Sequence, residues 1–540
     1  MTDTPSSSPS LGARYWFLVA GVPLAAADVT IMDALLPDIV RQLNISVADA
    51  SLVDAITVTV GGSLMVPAGK LADLIGAKRV LLTGLIILLI ASLTTGLATG
   101  LGMLMAGRIG QGIVFAMVLT TVIAMLNRDY PQGPLRSRAF SLFFAISFCL
   151  VGLAPLIGAL LTEYGSWRWA FLANAPLAVV VVVGVYRLTP AVPGAGSAQS
   201  FNLIGSALLV FAMGLILFAI QQGSRYGWLW SQEGTEFLGR PWMLALSPTP
   251  VMLGVGAVLL TVFMLIERWR AKRNLDVILD MQLFRVSSYV WGTIGIAMAC
   301  SALICALLVV SLYGEYVLGA SAIVAGLMVA PVGLGSLATA PISAWLARFP
   351  GKTIGVISII VQLIGVLILI AAFSVKGFPF VIGAVMFFIG VSIAGVSAMT
   401  SLALRDVSPQ LTGEAAGIQT STRYLICGFA MVVMTTLLMS VTAFGVEKVS
   451  FTVLTAADQA VLDAVEKLQR PAAPRALAGA TDPAQRKEFE LYDQALSTTR
   501  LAIDEGTRAA GIVAALMLVI ALLAAARLPG RAAQAPPAKP

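Results

Sequence analysis

From residue 15 to residue 527 the chain alternates apolar runs with short polar connections. At roughly 20 residues per helix in a ~30 Å hydrocarbon layer, the runs predict about 14 membrane-crossing helices. The first falls near 15–38 and the last near 508–527. Because the runs are continuous rather than alternating, a membrane β-barrel is excluded. The polar, Ser/Pro-rich start and the length of the first run predict a retained helix rather than a cleaved leader.

Composition agrees with the pattern. Of 540 residues, 58% are apolar and 11% charged, with mean hydropathy +0.92. A water-soluble core cannot hide that much apolar surface. The expected class is an all-α polytopic membrane protein. The net charge of +7 is better explained by topology than by nucleic acid. Basic clusters at Lys78/Arg79, at Arg128/Arg136/Arg138 and from Arg268 to Arg285 fall in loops on one side. The short loops of the other side hold Arg41, Arg168, Arg225, Arg240 and Lys376. The basic side is expected to be cytoplasmic, as are both termini. Trp167, Trp228, Trp230 and Trp242 are expected in the outer interfacial belt.

Histidine is absent, which removes imidazole metal sites, Ser/His catalysis and histidine proton relays. Cys149, Cys300, Cys305 and Cys427 all fall within predicted spans, as small packing residues rather than a disulfide framework. No Walker loop or nucleotide fingerprint occurs. An enzyme, a resident metal and a cofactor are therefore not expected. The polar stretch 442–507, with a helix-compatible run Asp458–Gln469 and a Pro471–Pro474 hinge, is expected on the outer side. It reads either as a surface helical hairpin or as a substrate-gating lid.

Between predicted spans 2 and 3 stands Gly69-Lys-Leu-Ala-Asp-Leu-Ile-Gly-Ala-Lys-Arg79. Gly69 and Gly76 permit a tight turn and close helix approach, Asp73 places an anion near helix ends, and Lys78/Arg79 hold the loop inside. A degenerate copy, Ala344–Lys352, follows span 10 and carries Arg348 in place of the acid. In span 4, Arg108-Ile-Gly-Gln-Gly112 buries a guanidinium that needs an interior partner; Gln111 and Gly112 share its face. Arg108 serves either proton coupling or a structural ion pair. Span 1 contains Ala27-Asp-Val-Thr-Ile-Met-Asp-Ala-Leu-Leu-Pro37. Asp28 sits near mid-membrane, either exchanging a proton or simply satisfied by a neighbouring Arg. Asp33 lies about 140° around the helix from it. Asp54, near the outer end of span 2, is either functional or hydrated. Span 5 holds Gly152-Leu-Ala-Pro-Leu-Ile-Gly-Ala159, where Pro155 kinks the helix and Gly152 and Gly158 permit close contacts.

These segments, with Leu279-Asp-Met-Gln-Leu-Phe-Arg285 before span 9, resemble the motifs of the 14-helix drug:proton antiporters of the major facilitator superfamily. The resemblance runs from span 1 to span 13. It implies two six-helix halves plus two extra central helices. The boundaries are a cytoplasmic tail 1–14, an N-terminal half 15–190, the extra helices and linker 191–285, a C-terminal half 286–527 that includes 442–507, and a tail 528–540. It assigns proton coupling to Asp28 and Arg108, and a conformational latch to Gly69, Asp73, Gly76, Lys78 and Arg79.

Substrate candidates are Asp33, Asp54, Gln111, Phe144, Phe148, Glu315, Gln419, Arg423 and Tyr424. The second half departs from cation exporters, for Gly417–Tyr424 offers Gln419, Thr420 and Arg423 but no acid. Arg423 either attracts an anionic or zwitterionic substrate or neutralises a buried aspartate. Glu315, at the outer end of span 9, is either a substrate group or merely solvated. The expected function is proton-coupled efflux of amphipathic small molecules such as drugs, dyes and antiseptics. The alternative is export of an endogenous metabolite or lipid. Protons, the lipid bilayer and a small-molecule substrate are the expected partners of a monomer in the bacterial plasma (inner) membrane.

Overall fold

The computed structural model describes residues 11–130, 133–192, 194, 202–231, 235–237, 240–273, 275–346, 348–374, 379–408, 411–453 and 506–528. Nearly all of them are helical. Helix α1 (Ala13–Thr30) breaks at Ile31 and resumes as α2 (Met32–Leu43). Then come α3 (Val47–Ile75), α4 (Ala77–Gly96), α5 (Leu101–Asp129), α6 (Pro134–Tyr164), α7 (Arg168–Leu172) and α8 (Asn174–Leu188). Helices α9 (Leu203–Tyr226) and α10 (Pro248–Lys272) flank a short hairpin of β1 (Glu236–Phe237) and β2 (Arg240–Pro241). The chain continues with α11 (Ser287–Leu312), α12 (Ala322–Val329), α13 (Pro331–Leu346), α14 (Gly351–Ser374), α15 (Pro379–Val391), α16 (Ile393–Ala403) and α17 (Thr412–Val453). The last helix is α18 (Gly506–Ala526).

Local chemistry sets several helix starts. Ser46 accepts the Asp49 N–H at 3.0 Å, Asn202 the Gly205 N–H at 3.0 Å and Ser321 the Val324 N–H at 3.4 Å. Each supplies an acceptor to a first-turn amide that lacks an intrahelical partner.

Among the described residues, 12 helical stretches are long and apolar enough to cross a membrane. They coincide with all but two of the stretches expected from the sequence; the remaining two fall on α1 and α17. The exposed faces are apolar at helical spacing. Ile86, Ile90 and Leu93 on α4, and Leu516, Ile520 and Leu523 on α18, all face outward. Polar residues such as Asp28, Arg108, Gln111 and Glu414 are buried instead. Apolar outside and polar inside is the arrangement of a protein surrounded by lipid. The chain is an integral membrane protein.

The helices group into two bundles. In the first, α3 and α4 pack on α5, and α1 packs on α5, α6 and α8. In the second, α11 packs on α16 and α17, while α14 packs on α15 and α16. Helix α18 joins the second bundle, where Gly511 lies against Ile370 and Lys352 Nζ donates to the Ala526 carbonyl at 2.7 Å. Helices α9 and α10 pair with each other, and α9 lies against both α3 and α17.

Glycines bring the bundles together. A Cβ on Gly152 of α6 would stand 2.6 Å from the Gly333 nitrogen of α13, and one on Gly326 of α12 would stand 2.8 Å from Leu156 Cα. Pro155 lies inside α6, and Gly158 accepts a hydrogen bond from Thr162 Oγ1 at 3.2 Å. Cys149, Cys300, Cys305 and Cys427 are buried free thiols. Trp167 departs from the expected interfacial belt. It is fully buried against Phe171, and its Nε1 donates to Gln42 Oε1 at 3.0 Å, so protein rather than headgroups satisfies it. Of the segment 442–507, residues 454–505 lie outside the described residues, and with them the run 458–469 and the hinge 471–474.

Candidate functional site

Helix α1 stops at Thr30, which leaves the carbonyls of its last turn in need of donors. Arg108 of α5 meets that need by donating from Nη1 to the Asp28 carbonyl at 2.8 Å, and also to Gln111 Oε1 at 2.9 Å. The Asp28 carboxylate faces amides. Gln111 Nε2 donates to Oδ2 at 2.9 Å and Asn174 Nδ2, from the first residue of α8, to Oδ1 at 2.5 Å. The carboxylate paired with Arg108 belongs to Asp54 of α3, 3.4 Å from Nη2. Thr57 Oγ1 completes the network by donating to the Arg108 carbonyl at 3.2 Å. Gly112 lets α5 come this close to α3, for a Cβ there would stand 2.8 Å from the Thr57 carbonyl.

Asp28, Arg108, Gln111 and Asn174 are all buried. Asp54 is the member of the network that reaches a cavity of about 470 Å³ between the bundles. Five aromatic rings contribute to its wall. Phe144 and Phe148 stack with centroids 6.3 Å apart, and Phe115 meets Tyr424 edge-to-face at 5.0 Å. Arg423 lines the cavity from α17, and α9 contributes Gln221, Gln222 and Arg225. Gln221 is steadied by donating to Thr59 Oγ1 at 3.0 Å. On α3 the lining reaches the Asp54 end and stops well short of Asp73.

At the Asp73 end the bundles are tied together. Asp73 accepts the Gly413 N–H at 3.0 Å and the Glu414 N–H at 2.9 Å, placing an anion at the N-terminus of α17. Gly69 lies directly against the Gly413 carbonyl, with no room for a side chain. Lys70 Nζ pairs with Glu414 Oε2 at 3.3 Å, and Glu414 Oε1 accepts the Asp280 N–H. Arg136 of α6 donates to Asn127 and to the Ser401 carbonyl, and Ser141 bonds Ser397 at 2.9 Å. Gly76 takes a positive φ of 99° between α3 and α4. Lys78 donates to the Tyr186 carbonyl at 2.8 Å, within its own bundle, and Arg79 is exposed. Of the motif Gly69–Arg79, then, Gly69, Lys70 and Asp73 are the residues that reach across.

The other candidates separate. Gln111 belongs to the Asp28 network rather than to the cavity wall. Gln419 is buried outside the lining, and Glu315 is exposed in a short turn after α11. Asp33 falls in α2, with its side chain outside the described residues. Sequence reasoning missed Asn174, Glu414, Glu267 and the α9 contribution. Asn174 and Glu414 carry no spacing signal of their own; Gln221-Gln222 within an apolar run was the available clue to α9.

A family model, the Major Facilitator Superfamily, matches residues 18–431. The chain belongs to that superfamily. Similar proteins include the methylenomycin A resistance protein of Bacillus subtilis, 31% identical over 41% of this chain and 47% of that protein. The multidrug resistance protein Stp of Mycobacterium tuberculosis is 26% identical over 76% of this chain and 73% of its own length. The chain thus spans about half of the first relative and about three quarters of the second. Among solved structures, the proton:xylose symporter XylE shares the fold, with TM-score 0.55 and 14% identity over 96% of each chain. This chain is a major facilitator transporter, not an enzyme.

Proposed function

We propose that this protein is a proton-driven exporter of amphipathic small molecules in the bacterial plasma membrane, working by alternating access between its two bundles. The observation that carries the reading is the buried Asp28–Gln111–Arg108–Asp54 network opening on the aromatic cavity at Asp54. The cluster contains two carboxylates and one guanidinium, so it holds a net negative charge when both acids are ionised and none when one is protonated. Charge in a low-dielectric interior is costly unless balanced. A single proton therefore changes the state of the cluster. Asp54 is the point from which the cavity can exchange that proton, and Asp28, held by Gln111 and Asn174, is the group that stores it. Asp73, Lys70 and Glu414 close the opposite end. With the basic loops inside, the cavity lies on the outer side of this tie. The relatives named for methylenomycin A and multidrug resistance support export as the direction.

The test is dye transport in inverted membrane vesicles energised by an imposed pH gradient. The Asp28→Asn protein should retain its fold and lose gradient-driven transport. Transport at the unsubstituted rate would remove Asp28 from the mechanism. A second reading, export of an endogenous anionic or zwitterionic metabolite, is favoured by Arg423 on the cavity wall. Metabolite profiling of the medium of a deletion strain tests it.

A further inference from the structure

We infer that the cavity selects amphipathic anions, with Arg423 receiving the substrate's carboxylate or sulfonate and the Phe/Tyr wall receiving its rings. This rests on the cavity being the transport site and is independent of proton coupling.

Arg423 lines the cavity beside Cys300 and Tyr424. Its side chain lies over the Tyr424 ring, 5.3 Å from the centroid, and shares the cavity wall with the Cys300 thiol. Neither neighbour supplies a full negative charge. A thiol is a weak acceptor and a ring face is a quadrupole. Among the described residues no carboxylate stands within ion-pair distance of Arg423. The buried aspartates are engaged elsewhere, Asp54 with Arg108 and Asp28 with Gln111 and Asn174. Arg423 is therefore not their counter-ion, one of the two roles its position in the sequence allowed.

Its depth matters as much as its charge. Ser421 donates to the Gly62 carbonyl at 2.9 Å, which registers this turn of α17 with the middle of α3. At 1.5 Å per residue, Gly62 lies about 12 Å along α3 from Asp54 and about 16 Å from Asp73. The guanidinium thus stands near mid-depth, deep in the cavity. A guanidinium stays protonated at any working pH. A cation on the cavity wall with no carboxylate within ion-pair distance among the described residues makes the cavity attractive to anions. The lining's carboxylate, Asp54, already faces Arg108. Lipophilic cations meet Arg423 and one committed acid. A volume of about 470 Å³ with Phe115, Phe143, Phe144 and Phe148 on its wall suits a drug-sized molecule carrying rings.

The test uses two probes with the same ring, pyrenebutyrate and pyrenebutyl-trimethylammonium. Binding to the full-length protein in phosphatidylcholine nanodiscs is followed by fluorescence anisotropy, with empty nanodiscs subtracted. The anion should bind at least tenfold more tightly than the cation. R423Q should weaken the anion about tenfold or more and leave the cation unchanged or tighter, while R423K should keep much of the preference. Retained cation binding in R423Q shows that the variant is folded. Equal or tighter cation binding by the unsubstituted protein, equal weakening of both probes in R423Q, or binding of neither probe would overturn the inference. Because no pH gradient is applied, anion preference without gradient-driven transport would sink proton coupling and leave this inference standing.

Discussion

Arg108 and Asp54 meet at the edge of the cavity, 3.4 Å apart, with the guanidinium fully buried and 31% of the carboxylate side chain exposed. The ion pair is therefore asymmetric. One partner can reach the cavity, and the other can act only through the pair. Arg108 in turn holds Gln111, which holds the Asp28 carboxylate. A change at Asp54 has a continuous hydrogen-bonded path to Asp28.

Asp54→Asn should therefore damage more than a surface acid would. It leaves Arg108 buried without its carboxylate, and breaking a buried pair from one side costs about 3–5 kcal/mol. Gradient-driven transport is expected to fall at least tenfold, and the unfolding temperature in detergent to drop. Asp54→Glu should recover part of both. Rates close to those of the unsubstituted protein would show that Asp54 is merely hydrated.

Asn174→Leu removes one of the two donors to Asp28. A hydrogen bond to a charged group contributes about 1.5–3 kcal/mol, and each 1.4 kcal/mol is a factor of ten. Transport is expected to slow by about 10- to 100-fold, with the greatest loss at the pH where release of the proton limits the cycle. Asn174→Ser, which keeps a donor, should fall between. A uniform loss at every pH, unrelieved by serine, would assign Asn174 to packing alone.

The membrane class and the helical stretches were legible because apolar runs report burial in lipid directly. The motif residues were legible because special backbone and charge demands, such as an acid at Asp73 or a guanidinium within α5, leave few residue types to choose from. Partnerships were not. Arg108 was expected to need an interior partner, yet nothing in its spacing distinguishes the carboxylate of Asp54 from that of Asp28. That choice follows from the break of α1 at Ile31, which presents the Asp28 carbonyl, not its carboxylate, to Arg108. Likewise Asn174 and Glu414 act over separations of 146 and 344 residues. Such pairs follow from three-dimensional assembly and leave no local pattern.

Asp73→Asn should loosen the closed end. The change weakens two charge-assisted bonds to the α17 N-terminus, together about 3 kcal/mol or more. A shift of that size moves a two-state equilibrium by a hundredfold or more. Spin labels at the exposed positions Arg79 and Arg348 report it by double electron–electron resonance, since the four native cysteines are buried. The longer-distance population should grow in Asp73→Asn. An unchanged distance distribution would show that Asp73 does not hold the bundles together.

Glu267 decides whether the α9–α10 pair is a passenger or part of that closure. It is buried on α10 and accepts the Ile278 and Leu279 N–H groups at 2.5 and 3.0 Å, and Asn202 Nδ2 at 3.0 Å. It thereby fixes the linker that presents the Asp280 N–H to Glu414, which also holds Lys70 of α3. Glu267→Gln turns one acceptor into a donor facing backbone donors, and each buried group left unsatisfied costs about 1–3 kcal/mol. The unfolding temperature should fall. If the linker belongs to the latch, the label pair at Arg79 and Arg348 should also shift toward longer distances, in the same direction as Asp73→Asn and by less. A lower unfolding temperature with an unchanged distance distribution would confine Glu267 to holding the two extra helices and their linker in place.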